Sequence, residues 1–148
     1  VYDLRIFSPE PGCRIAESRE GGIVCGASPA STVGEMTHYL RLAGARIIFT
    51  SKEFLPTALA AAEAVNLSRR SILLLDGEEA GFESITHLVE EGQKQRAGSS
   101  DEAYSFAPGR DATNVCAFLS FSSGTTGLPK AVCFCPAMYG MFQWLLTW

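Results

Sequence analysis

The chain has 148 residues, of which 47% are hydrophobic and 19% charged, which suits one globular domain with a real core and excludes a disordered chain. A net charge of -4, with no basic stripe interleaved with aromatics, excludes a dedicated nucleic-acid binder. Five cysteines (Cys13, Cys25, Cys116, Cys133 and Cys135) are odd in number and irregular in spacing, so they form no disulfide framework and favour a reducing, intracellular setting.

Leu4 to Phe7 reads as a strand, but Ser8 to Glu20 offers only Cys13, Ile15 and Ala16 to cover a sheet. That is too little for the apolar crossover a parallel sheet needs, so a surface loop or a damaged element is expected there. Gly22 to Ala27 is an apolar strand candidate. Thr32 can then cap a helix while Glu35, three residues on, reaches back to complete a capping box. Met36, Leu40 and Ala43 continue at helical spacing, and Gly44 is placed to end the helix.

Arg46 to Thr50 is a β-branched run and predicts a strand. Leu55 to Val65 returns to helical spacing through Leu55, Leu59 and Ala62, with Pro56 tolerated in the first turn. Ser71 to Leu75 reads as a buried strand closed by Asp76-Gly77, and Ile85, Leu88 and Val89 mark a third, shorter helix. Glu91 to Asn114 is polar and reads as a long exposed loop. Val115 to Phe121 is the next strand. This alternation predicts an α/β fold, a partial parallel sheet with right-handed crossover helices, ending in a strand–phosphate loop–strand unit.

The loop of that unit lies within Ser120 to Val132, SFSSGTTGLPKAV. Glycines let backbone N–H groups converge on an anion, and the hydroxyls of Ser122, Ser123, Thr125 and Thr126 add rotatable donors. Lys130 adds a point charge for a terminal phosphate, and Pro129 stiffens the approach to it. The set suits a nucleoside triphosphate better than a neutral ligand; the bland alternative is a solvated hairpin loop. A P-loop is excluded: Lys130 does not follow a glycine, Ala131 stands where Ser or Thr would meet magnesium, and a strand-like run follows instead of a helix.

SSGTTGLPK resembles the phosphate-binding signature of the adenylate-forming (AMP-dependent synthetase/ligase) superfamily, which includes acyl-CoA synthetases, 4-coumarate–CoA ligases, luciferases and peptide-synthetase adenylation domains. Phe7-Ser8-Pro9, Gly21 to Thr32 and Gly44 to Ser51 are similar to the acyl-CoA synthetase and 4-coumarate–CoA ligase branch. The resemblance spans roughly residues 4–132. It implies ATP-dependent activation of a carboxylic acid by adenylation, with Mg2+ accompanying ATP and CoA as co-substrate. By the family motif Ser122, Ser123, Gly124, Thr125, Thr126 and Gly127 would wrap the phosphates and Lys130 would support them, in a loop that closes over ATP and opens for pyrophosphate release. No catalytic or metal-ligating residue is carried over.

Four departures qualify the match. Ala131 replaces a glycine found in many members. The segment before Gly21 is short. The residues after Val132 read CFCPAMYGMFQWLLTW where a His-containing polar turn and a helix are expected. Finally, the aromatic–glycine–x–threonine–glutamate segment, the ribose-binding aspartate, the hinge and the carboxy-terminal catalytic lysine are not in this sequence. Residues 1–148 are therefore read as an incomplete piece of the AMP-binding amino-terminal domain, with 4–132 family-like and 133–148 an atypical apolar tail such as a mis-joined gene model would produce. The rival reading is a non-catalytic fragment or nucleotide-binding remnant.

The tail from Ala131 to Trp148 falls just short of a membrane span and is interrupted by Pro136, Gly140 and Gln143, so a buried segment is favoured over an anchor. With Val1 first and no charged-then-apolar leader, no signal peptide is expected. An intracellular site, cytoplasmic or peroxisomal, is expected, although Leu146-Thr147-Trp148 is no peroxisomal tripeptide. Cys133 and Cys135 lie on one face of a strand and read as ordinary thiols in preference to a metal pair. His38 and His87 each sit alone in a helix, away from any carboxylate or cysteine cluster, and read as structural histidines, and Glu78-Glu79 and Glu90-Glu91 read as solvated charges. Leu55, Leu59 and Ala62 read as core.

Overall fold

The aliphatic runs form the strands of one sheet. The computed structural model describes residues 5–7, 22–95, 113, 115–122 and 129–135. Within them lie β1 (Arg5–Phe7), β2 (Ile23–Cys25), α1 (Val33–Ala43), β3 (Ile47–Thr50), α2 (Leu55–Ala64), β4 (Ile72–Leu74), β5 (Glu83–Ser84), α3 (Ile85–Gln95), β6 (Phe118–Ser122) and β7 (Lys130–Phe134). The strand order is β5-β4-β3-β1-β2-β6-β7. Every neighbouring pair is parallel except the last, in which β7 runs antiparallel to β6. The expected α/β architecture is therefore the observed one.

The register carries one row across the sheet, buried at Cys25, Ile48 and Ile72. Cys25 pairs with Phe7, Phe7 with Ile48, and Ile48 with Ile72, while Leu119 of β6 pairs with Cys25. Residues in register on parallel strands share a face. Cys25, Ile48, Ile72 and Leu74 are buried there against Met36, Leu40 and Ala43 of α1 and Leu55, Ala58, Ala61 and Ala62 of α2. Each large aliphatic group withdrawn from water this way contributes about 1.5–3 kcal/mol. Helices α1 and α2 also pack on each other, where small alanines let α2 sit close.

The caps explain where these helices begin and end. Thr32 Oγ1 accepts from the Glu35 N–H at 3.3 Å, and Glu35 Oε2 accepts from the Thr32 N–H at 2.8 Å, so the capping box forms as expected. Gly44 takes φ 59°, and the Ala45 N–H donates to Leu40 O at 3.1 Å, ending α1 in a left-handed turn. At the end of α2 Asn66 takes the same role, with φ 57° and a Leu67 N–H to Ala62 O bond of 2.9 Å. The Arg41 guanidinium of α1 donates to Ala64 O at 2.9 Å, tying that end of α2 to its neighbour.

Three boundaries depart from the sequence reading. The third helix is as long as the first, because Glu90, Glu91, Lys94 and Gln95 are good helix formers that extend it without an apolar stripe. The polar stretch from Glu91 therefore starts as helix, and residues 96–112 and 114 lie outside the described residues. The strand expected from Val115 begins at Phe118, and Val115 sits in a bend. Strand β5 is two polar residues, too short to leave a periodic signal. The unusual segment Ser8 to Glu20 and the tail after Cys135 also lie outside the described residues.

Candidate functional site at the carboxyl end of β6

Strand β6 leaves the sheet at the carboxyl end of the parallel strands, and β7 returns beside it. Phe118 pairs with Phe134, Leu119 with Cys133, Ser120 with Val132, Phe121 with Ala131, and Ser122 with Lys130. The last pair closes the hairpin, so Ser122 and Lys130 face each other across the mouth of the glycine and hydroxyl loop. Ser122 Oγ lies 3.5 Å from Lys130 O, at the outer limit of a hydrogen bond, and both residues are exposed. Ser123, Gly124, Thr125, Thr126 and Gly127, with Leu128, lie outside the described residues.

The position suits a ligand site. The chain leaves β2 across β1 toward β3, whereas it leaves the adjacent β6 in the opposite direction, toward β7. In open α/β sheets ligands bind outside the carboxyl ends of the strands, the end at which β6 gives way to the loop. The Lys130 ammonium stands at this edge as an exposed cation, able to neutralise an anion held by backbone N–H groups.

Helix α1 touches both arms of the hairpin. The Tyr39 ring stacks on Phe121 of β6, with centroids 4.3 Å apart and planes at 22°. The neighbouring His38 donates from Nε2 to the carbonyl of Pro129, just before β7, at 2.9 Å. His38 and Pro129 are both half-buried. On the opposite side of the hairpin, Phe118 and Phe134 meet across the strands at 6.1 Å. Sequence reasoning left His38 as a lone structural histidine. Its partner is 91 residues away, and no periodic signal could have joined them.

His87 has a partner that the sequence reading did not name. It was expected to sit alone in its helix, and its Nδ1 pairs with Glu83, four residues earlier in β5. The hydrogen bond to Glu83, with that carboxylate's charge, raises the His87 pKa above its usual value, and Glu91 and Glu90 add to the effect. The i, i+4 spacing was the available signal, but β5 had not been foreseen at Glu83. Lys52 likewise pairs with Glu79 at 3.0 Å and donates to Glu78 O at 2.9 Å, while Asp76 Oδ1 accepts from the Lys52 N–H. These contacts fix the turn after β4, where Gly77 takes φ 67°. Among the described residues no three His, Cys, Asp or Glu side chains gather as a metal site, and no helix is long and apolar enough to cross a membrane. Cys133 is exposed, and Cys135 lies just past the end of β7.

An open, mainly parallel α/β sheet closed at one edge by an antiparallel hairpin defines the architectural class. More particularly, the chain belongs to the AMP-binding enzyme family, whose profile matches residues 15–135. It is 34% identical over 114 residues to acyl-CoA ligase azaF of Aspergillus niger, covering 77% of this chain and 21% of that protein. Among solved structures it is similar to the luciferase-like enzyme of the nonluminescent Zophobas morio mealworm, at 29% identity and a TM-score of 0.67, covering 90% of this chain and 30% of that one. The fold is shared with the anthranilate CoA ligase AuaEII in complex with anthranoyl-AMP, at 18% identity and a TM-score of 0.74, covering 97% of this chain and 27% of that one. The chain thus spans about a fifth of the length of the curated relatives it matches.

Proposed function

We propose that this chain carries the triphosphate grip of an adenylate-forming acid–thiol ligase, nearest the acyl-CoA synthetase and 4-coumarate–CoA ligase branch. One observation carries the reading: in a member of the AMP-binding enzyme family, Ser122 and Lys130 pair on either side of SGTTGLP at the carboxyl edge of the parallel sheet. In the whole enzyme a carboxylate oxygen would attack the α-phosphorus of ATP, break its bond to the bridging oxygen and release pyrophosphate. The CoA thiol would then attack the acyl carbonyl and release AMP. Negative charge grows on the departing pyrophosphate, and a fixed cation with converging N–H donors stabilises it. Ser122, Ser123, Gly124, Thr125, Thr126 and Gly127 would wrap the β- and γ-phosphates, with Lys130 supplying the cation. Magnesium would arrive with the phosphates and share in neutralising them.

A second reading draws on length: the chain spans 21% of acyl-CoA ligase azaF. On this reading the 148 residues bind MgATP and do not complete the transfer. Titration calorimetry with MgATP, beside a carboxylate-dependent pyrophosphate exchange assay, separates the two. Binding with exchange supports a competent ligase, and binding without exchange supports the nucleotide-binding fragment. Absence of MgATP binding, or binding unchanged by Lys130→Ala, removes the phosphate-grip reading altogether.

A further inference from the structure

We propose that His38 is a positioning residue for the bound triphosphate, acting through the Pro129 carbonyl to set the backbone that presents Lys130. The proposal deepens the phosphate-grip reading and rests on it. Two consecutive residues of α1 reach the two arms of one hairpin. Side chains one position apart on a helix diverge by about 100°. Tyr39 therefore meets Phe121 on β6 while His38 meets Pro129 ahead of β7. The two contacts sit immediately before Ser122 and Lys130, the pair that faces across the mouth of the loop.

The chemistry of the His38 bond fixes its direction. A carbonyl has no proton to give, so imidazole Nε2–H is the donor. The acceptor belongs to a proline, whose own ring removes the backbone N–H and fixes φ. The orientation of that peptide plane is therefore left to ψ, and holding its oxygen fixes ψ. The next residue in the chain is Lys130, so the direction in which its side chain leaves β7 follows from the same peptide plane. Helix α1 is itself well anchored, by its capping box, its left-handed end at Gly44 and its buried face of Met36, Leu40 and Ala43. It is thus a rigid post against which the exit arm of the hairpin is set.

The test uses MgATP and, separately, magnesium pyrophosphate as calorimetric probes of the chain. His38→Phe keeps a ring and loses the donor; His38→Gln carries an amide N–H that can reach the same carbonyl. Loss of one hydrogen bond is expected to weaken both ligands about fivefold in His38→Phe, with His38→Gln returning to within about twofold of the parent. His38→Leu is a second donor-free variant should the larger ring disturb packing. In a Lys130→Ala background the His38→Phe penalty is expected to vanish, because the residue it positions is gone. A bond that merely stapled the edge strand would lower the urea midpoint and leave the affinity of the folded protein unchanged, which would overturn the proposal. Additive His38 and Lys130 effects, or no rescue by His38→Gln, would overturn it too. If Lys130→Ala alone leaves both affinities unchanged, the phosphate-grip reading itself has failed.

Discussion

Replacing Thr32 with Ala should loosen the helix that meets Phe121 and Pro129 of the hairpin. The substitution removes an Oγ1 that accepts from the Glu35 N–H at 3.3 Å and donates to Glu35 Oε2 at 2.8 Å, while the Thr32 N–H to Glu35 Oε2 bond of 2.8 Å survives. The site is exposed, so water meets the freed amide and no buried-donor penalty is added. The loss therefore sits near the centre of the N-cap range, about 1 kcal/mol. With a urea m-value of about 2 kcal/mol/M, the unfolding midpoint falls by about 0.5 M at unchanged m. The effect carries a pH signature. The Thr32 backbone N–H first, and its hydroxyl second, hold the Glu35 carboxyl below its ordinary value of 4.5. A carboxyl with a lowered folded pKa contributes stability that is full above 4.5 and is lost as pH falls through the lower folded value. The Thr32→Ala penalty should thus be larger at neutral pH than in acid, and non-additive with Glu35→Gln. An equal penalty at both pH values, or strict additivity with Glu35→Gln, would refute the reasoning.

Ile48, fully buried in the in-register row between Phe7 and Ile72, should cost about 2–5 kcal/mol when cut to Ala, read from urea unfolding. A loss below about 1 kcal/mol would mean the row collapses around the missing atoms. Gly44→Ala forces a Cβ into φ 59° and should cost about 1 kcal/mol; an unchanged melting midpoint would speak against the left-handed end. His87 should titrate above 6.5 because Glu83 accepts its proton-bearing nitrogen. Its contribution is full below 6.5 and lost as pH rises through the raised folded value. In Glu83→Gln the His87 ring proton resonances should therefore titrate lower than in the parent chain, and an unmoved midpoint would contradict the pair.

Local chemistry was legible wherever partners lie close in sequence. The box of Thr32 and Glu35, the stop at Gly44 and the strands at Ile47–Thr50 and Ile72–Leu74 follow from spacing and β-branching alone. The motif at Ser122 to Lys130 was legible because its glycines, hydroxyls and lysine are contiguous. What escaped was either polar or distant. Strand β5 at Glu83–Ser84 has no apolar face, and the last residues of α3 extend it by helix propensity rather than packing. Asn66 took a left-handed conformation that glycine usually signals. The bond from His38 to Pro129 is invisible to periodicity, since His38 lies beside the buried stripe of Met36, Leu40 and Ala43 and its partner is on another element.

The direction of β7 is what lets so short a loop bring both its ends to one place. A parallel β7 would have needed a crossover and would have begun at the opposite edge of the sheet. Over a five-residue strand that displaces Lys130 by roughly 16 Å from Ser122. The antiparallel return instead pairs Ser122 with Lys130 directly. That return makes β7 the edge of the sheet among the described residues, which is where Pro129 can precede the strand without breaking a ladder bond. Pro129 in turn leaves a half-buried carbonyl that needs a donor, and His38 supplies it from α1. Edge position, proline and histidine thus depend on one another. Both arms of the hairpin are thus met by a helix capped at Thr32, more than ninety residues upstream of Lys130.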